Sequence, residues 1–202
     1  MPDWLNPDQI PLWLKIAYTL FICVLVPVYW VQYGPGNFLW FSDIALFATA
    51  AALWLGNSLL ASMMALSVIV LETVWIVDFI IGLIAGATVI GLSAYMFDSK
   101  ISLPIRALSL FHIFLPVTLV WLLYRFGYDT RALIVQTLLA WIVLPVSYFL
   151  TRPSQNVNWV YGPGGGGPQK WMPAPLYLVL LMLAFPLVLY LPTHFLLKKL
   201  FN

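Results

Sequence analysis

The sequence predicts an all-α fold: a polytopic transmembrane helix bundle of six spans, or seven if a short segment before Phe97 also crosses. Three observations carry this reading. The 202-residue chain is 63% hydrophobic and only 8% charged, against roughly 45–50% apolar and about 25% charged in an ordinary soluble domain. Its mean hydropathy is +0.96. Its apolar runs approach twenty residues, the length a helix needs to cross a hydrocarbon core about 30 Å thick.

The first span is expected from Pro11 to Gln32, because a proline costs nothing at the first helical position, and it stops at Tyr33-Gly34-Pro35-Gly36-Asn37. A second, Phe38 to Leu55, closes at Gly56-Asn57. Apolar sequence then continues from Ser58 to Phe97 without a charged loop. It is read as a span to Ile81, a break around Gly82 and Gly86, and a shorter helix ending at Phe97 that crosses, re-enters or lies at the interface. Asp98-Ser99-Lys100 is a firm break. Spans from Leu103 to Phe126 and from Thr130 to Leu150 flank the turn Gly127-Tyr128-Asp129, and a last span runs from Leu176 to Leu197. Residues 1–202 form one domain, with an extended loop at 151–173. That loop carries Asn156-Val157-Asn158-Trp159 and a glycine run that lacks the lysine and hydroxyl positions of a phosphate-binding loop. It reads as a flexible tether or as a lid.

Charge excludes several functions. Nine basic and seven acidic residues, dispersed along the chain, build no phosphate-tracking surface, so nucleic acid is not a partner. Cys23 is the single cysteine; it can form no internal disulfide and reads as a small buried hydrophobe. The acidic start lacks the basic region of a cleavable signal, so the first apolar segment is expected to remain as a span. The basic residues divide almost evenly between the two sides, and the termini are placed in the cytoplasm. Trp4, Trp13, Trp30, Trp159 and Trp171 fall near expected span ends, where indoles favour the headgroup region.

Asp43, Glu72, Asp78 and His112 fall inside otherwise apolar spans, where an unpaired charge is costly, so they face protein or a wet cavity, or are neutral. At about 1.5 Å per residue, Glu72 and His112 each lie roughly 13 Å from their helix ends, on the same side. Asp43 enters from that side too. These three are the candidate catalytic residues, Glu72 and His112 as a general acid–base pair acting on a lipid or quinone headgroup; the alternative for the pair is a buried hydrogen bond that fixes helix packing. Asn37, Trp75, Asn156 and Trp159 are the candidate substrate contacts. Asp78 reads as a cap for the break at Gly82. On the opposite side Arg125 and Arg131 bracket Asp129 and are candidate headgroup contacts, while His194 is expected to snorkel to that interface or to bond a carbonyl freed near Pro192.

Carboxylate and imidazole together suit zinc or iron. With two histidines at opposite depths and no HExxH motif, no metal site and no cofactor is assigned. Nucleophilic hydrolysis lacks a GxSxG elbow, although Ser109 and His112 share a helix face. Transport lacks recognisable halves around Pro27, Pro116, Pro145 and Pro186. The partners expected are membrane lipids, and the competing reading is an accessory or assembly subunit of a larger membrane complex.

The stretches Gly34 to Asp43, Ser109 to His112, Gly127 to Ala132, Asn156 to Val160 and Tyr190 to His194 resemble a family of small bacterial polytopic membrane proteins. The resemblance implies a bacterial inner-membrane protein and no particular activity. Asn37 to Thr49 is also similar to the first transmembrane segment of alkaline-ceramidase-type hydrolases. That family binds zinc through three histidines, which this chain lacks, so it implies no ligands here.

Overall fold

The structure is a computed structural model that describes residues 10–87, 89–164 and 167–202. Eight α-helices are present among them: α1 (Leu12–Tyr33), α2 (Phe41–Leu55), α3 (Ser58–Ala85), α4 (Leu103–Leu108), α5 (Phe111–Phe126), α6 (Ala132–Leu150), α7 (Ala174–Ala184) and α8 (Leu191–Phe201). α4 with α5, and α7 with α8, each form one interrupted rod. Five rods are long and apolar enough to cross a membrane, and α2 is a shorter apolar helix of 15 residues. The protein is therefore a multi-pass membrane protein.

Its outer surface says the same. Leu20, Val31, Ile84, Val117, Phe149 and Val188 are all exposed, a liability in water and the ordinary condition of a lipid-facing helix. Trp13, Trp30 and Trp171 are exposed near rod ends, as interfacial anchors are; Trp4 lies outside the described residues. Cys23 departs from expectation. It sits on the outer face of α1, exposed, because α1 turns only a narrow stripe (Tyr18, Leu25, Tyr29) to the core. Cys23 is therefore expected to resist a membrane-impermeant maleimide in intact vesicles and to label once the protein is in detergent. Labelling in both would place α1 outside the bilayer.

Local chemistry explains where the rods begin and end. Gly56 takes the left-handed conformation (φ 62°) that closes α2, and the Asn57 side chain then accepts from Leu60 N–H to cap α3. Successive rods run in opposite directions, so loops alternate between two ends of the bundle. At one end Asn202 bonds both backbone groups of Tyr128, and Ser62 Oγ accepts from Asp129 N–H. At the other end Phe41 N–H reaches Asn158, 117 residues away in the chain.

Three expectations about the rods are corrected. α3 does not break at Gly82; it continues to Ala85 and stops at Gly86, whose φ of 71° is left-handed. At 28 residues it is about 42 Å long, more than one bilayer core, so its last turns stand outside or tilt. Among the described residues no α-helix follows before Ala94, only a short 3-10 turn at Ala94–Phe97 in place of the expected shorter helix. The Leu103 to Phe126 span keeps its expected bounds but is not one continuous α-helix: a turn at Ser109-Leu110 divides it, with His112 in the first turn of α5.

Candidate functional site

Glu72 on α3 and His112 on α5 face each other, with His112 Nδ1 2.6 Å from Glu72 Oε2. Glu72 is buried and the imidazole side chain is only 15% exposed. With Glu72 ionised, its oxygen needs a proton on Nδ1, which leaves Nε2 as the ring's base. The imidazole is held between aromatic planes: Trp75 stacks on it at 4.7 Å between centroids and Phe111 at 4.1 Å. Glu72 and Trp75 share a face at i, i+3, which is why one helix supplies both the carboxylate and the plate.

Asp43 lies in the first turn of α2, where the helix dipole favours an acid. It is 3% exposed. Oδ2 accepts from Asn37 Nδ2 at 3.3 Å, and Oδ1 has no hydrogen-bond partner among the described residues. Across the same space Tyr29 OH and Ser109 Oγ bond at 2.7 Å, both buried. Together these groups line a cavity of about 410 Å³, within the ~300–1,000 Å³ of small-molecule sites. Its walls include Tyr33, Trp40, Trp75, Tyr95 and Trp159, and no lysine or arginine is among its lining residues. No three His, Cys, Asp or Glu side chains among the described residues are grouped to hold a metal.

Two loops close this end. Asp78, expected as a cap at Gly82, instead accepts from the backbone N–H groups of Val89, Ile90, Gly91 and Ser93 and from the Ser93 hydroxyl, at 2.8–3.4 Å. It clasps the segment after α3, so Gly91, Leu92 and Tyr95 form a wall of the cavity.

The loop after α6 also lines this end, and its described residues are bonded to one another. Asn156 donates to Gly162 O and Gly164 O and accepts from Tyr161 N–H. A Cβ at Gly162 would stand 2.6 Å from Gly167 O, so the glycines permit tight stacking. The Asn156 amide therefore serves its own loop rather than presenting a free group to a substrate. Asn158, which the candidate site residues omit, joins three elements: Oδ1 accepts from Phe41 N–H at the start of α2, and Nδ2 donates to Leu39 O and Ser147 Oγ. Asn156, Asn158 and Trp159 all have positive φ (42°, 52° and 60°). Asparagine tolerates that region and tryptophan does not, so the Trp159 backbone is held against a local cost of about 1–3 kcal/mol.

Asn158→Ala removes the partner of the buried Phe41 N–H and of the part-buried Leu39 carbonyl, and unmade hydrogen bonds cost about 1–3 kcal/mol each. A loss of about 3 kcal/mol is expected, read as a lower unfolding midpoint together with faster proteolysis of residues 151–173.

Of the sequence-derived candidates, Asp43, Glu72, His112, Asn37, Trp75, Asn156 and Trp159 all border this cavity. Arg125 and Arg131 do not; they sit at the other end of the bundle. Arg125 lies over the Trp121 ring at 5.3 Å. Arg131 forks onto Asp129, with Nη2 2.6 Å from Oδ2, and that bond holds the Asp129 carboxyl below the usual carboxylate range. Since Arg131 is largely exposed, such a pair contributes little; Arg131→Ala is expected to leave the melting temperature unchanged within error.

His194 neither snorkels nor bonds a carbonyl. It is buried, with Nδ1 2.8 Å from Tyr128 OH. Tyr29, Ser109, Tyr95 and Asn158 were missed as site residues. Only Ser109 carried a signal, its i, i+3 spacing to His112.

No protein-family profile, curated protein or solved structure matches this chain.

Proposed function

We propose that this membrane protein takes the polar end of a lipid-like molecule into the cavity among α2, α3 and α5, where Glu72 and His112 act on it as a general acid–base pair. The carrying observation is the 2.6 Å contact between Glu72 and His112 on the wall of a cavity of substrate size. Glu72 fixes the proton on Nδ1, so Nε2 can accept a proton from a substrate O–H or N–H and return it to a leaving group. Ser109 and Tyr29 supply hydroxyls that bind or orient the same head. Asn156, through its loop, and Trp159 cover the mouth. The resemblance supports a bacterial membrane, which we take to be the inner one, and the distribution of basic residues supports cytoplasmic termini.

The test begins with gentle detergent extraction of the full chain and mass spectrometry of what accompanies it. The proposal expects one small particle with a bound amphiphile, which Glu72→Gln or His112→Ala loses or ceases to convert while still folding. Stoichiometric copurification of other subunits with no amphiphile would overturn it in favour of an assembly role. Loss of folding in both variants would instead make the pair a packing device between α3 and α5.

A further inference from the structure

The residues lining the cavity do not balance in charge. Two carboxylates, Asp43 and Glu72, face one imidazole, and no lysine or arginine lies among the lining residues. Glu72 is matched by a hydrogen-bond donor, the His112 ring. Asp43 is not matched: its Oδ2 has a single amide donor at 3.3 Å, and its buried Oδ1 has no hydrogen-bond partner among the described residues. A carboxylate removed from water without a cation is costly, and an unpartnered oxygen edging a cavity is a place where a ligand's proton donor belongs.

The volume admits a molecule and not only a bare ion, since about 410 Å³ lies within the ~300–1,000 Å³ of small-molecule sites. The walls say which charge it carries. Tyr33, Trp40, Tyr95 and Trp159 are among the lining residues; aromatic rings attract cations, while two carboxylates with no lysine or arginine beside them repel a phosphate.

We infer that the cavity selects an amphiphile whose head is a protonated amine, seated on Asp43 among these aromatic rings, and rejects phosphate heads. The inference rests on the proposal that the cavity binds a lipid-like molecule, and it names the class.

Three probes with one tail and different heads separate the two ideas: dodecylammonium, dodecanol and dodecyl phosphate, each titrated into the full chain in uncharged maltoside detergent and followed by tryptophan fluorescence. Dodecylammonium is expected to bind at least about tenfold more tightly than dodecanol, with dodecyl phosphate weakest; Asp43→Asn should remove the amine's advantage over the alcohol. Equal affinities for amine and alcohol, or tighter phosphate binding, would overturn the amine assignment while leaving the cavity as a lipid site. An amine preference that survives in Asp43→Asn would overturn the role given to Asp43. Saturable binding of none of the three would overturn both the inference and the proposal beneath it. The head-group ranking is measured on the unaltered protein, so it decides the matter even if Asp43→Asn does not fold.

Discussion

Glu72→Gln is expected to lower conversion of the bound amphiphile by about 10²–10⁴-fold, the usual contribution of a positioned acid–base group, while the melting temperature moves little. Glutamine keeps the shape and one acceptor oxygen, so it can still receive the Nδ1 proton and hold the ring between Trp75 and Phe111. It cannot stabilise an imidazolium as a carboxylate does. His112→Ala removes the base itself and should cost at least as much. If the two residues act as one unit, the double variant is no worse than His112→Ala alone. Additive losses would show that they act separately, and activity unchanged in both would remove them from the chemistry.

The second large effect is on architecture. Asp78→Ala withdraws one carboxylate from four backbone N–H groups and one hydroxyl. Hydrogen bonds to charged groups are worth about 1.5–3 kcal/mol each, so losing even two without replacement costs about 3 kcal/mol or more. The segment from Gly86 to Ser93 should then open, with amide exchange at Val89, Ile90, Gly91 and Ser93 rising by orders of magnitude. Because Gly91, Leu92 and Tyr95 wall the cavity, amphiphile retention should fall with it. Asp78→Asn keeps the shape and one acceptor and should fall between. Unchanged exchange in Asp78→Ala would mean that the loop is held by something else.

Much of the architecture is written in the hydropathy of the chain. A helix that must satisfy its backbone inside a bilayer shows as a long apolar run, and α1, α3, α6 and the α4–α5 rod end within a few residues of where those runs stop, although α3 runs past its expected break. The segment from Gly86 to Phe97 was misread for a physical reason. It is as apolar as its neighbours, with Val89 and Ile90 exposed, and its conformation is set by a carboxylate eight or more residues upstream that no local pattern announces.

The site was legible where the chemistry is local. Charged residues in apolar runs stand out, and depth arithmetic put Asp43, Glu72 and His112 on one side. The depth assigned to His112 rested on an unbroken helix, yet the interruption at Ser109-Leu110 still leaves it opposite Glu72. Long-range partners were not legible. Asn158 reaches Phe41 and Tyr29 reaches Ser109, 117 and 80 residues apart, and neither spacing has a periodic signature. The same applies to His194, whose partner Tyr128 sits in the turn before α6.

The chain holds two histidines, so the nitrogen-15 spectrum of the imidazoles is simple enough to read in full, with His194→Gln making the assignment. The account predicts that His112 carries its proton on Nδ1, with the downfield proton of a strong hydrogen bond that Glu72→Gln weakens, and that its Nε2 resonance shifts when dodecylammonium is added. A proton on Nε2, or an Nε2 resonance indifferent to the amphiphile, would contradict a Glu72–His112 pair that serves a ligand in this cavity.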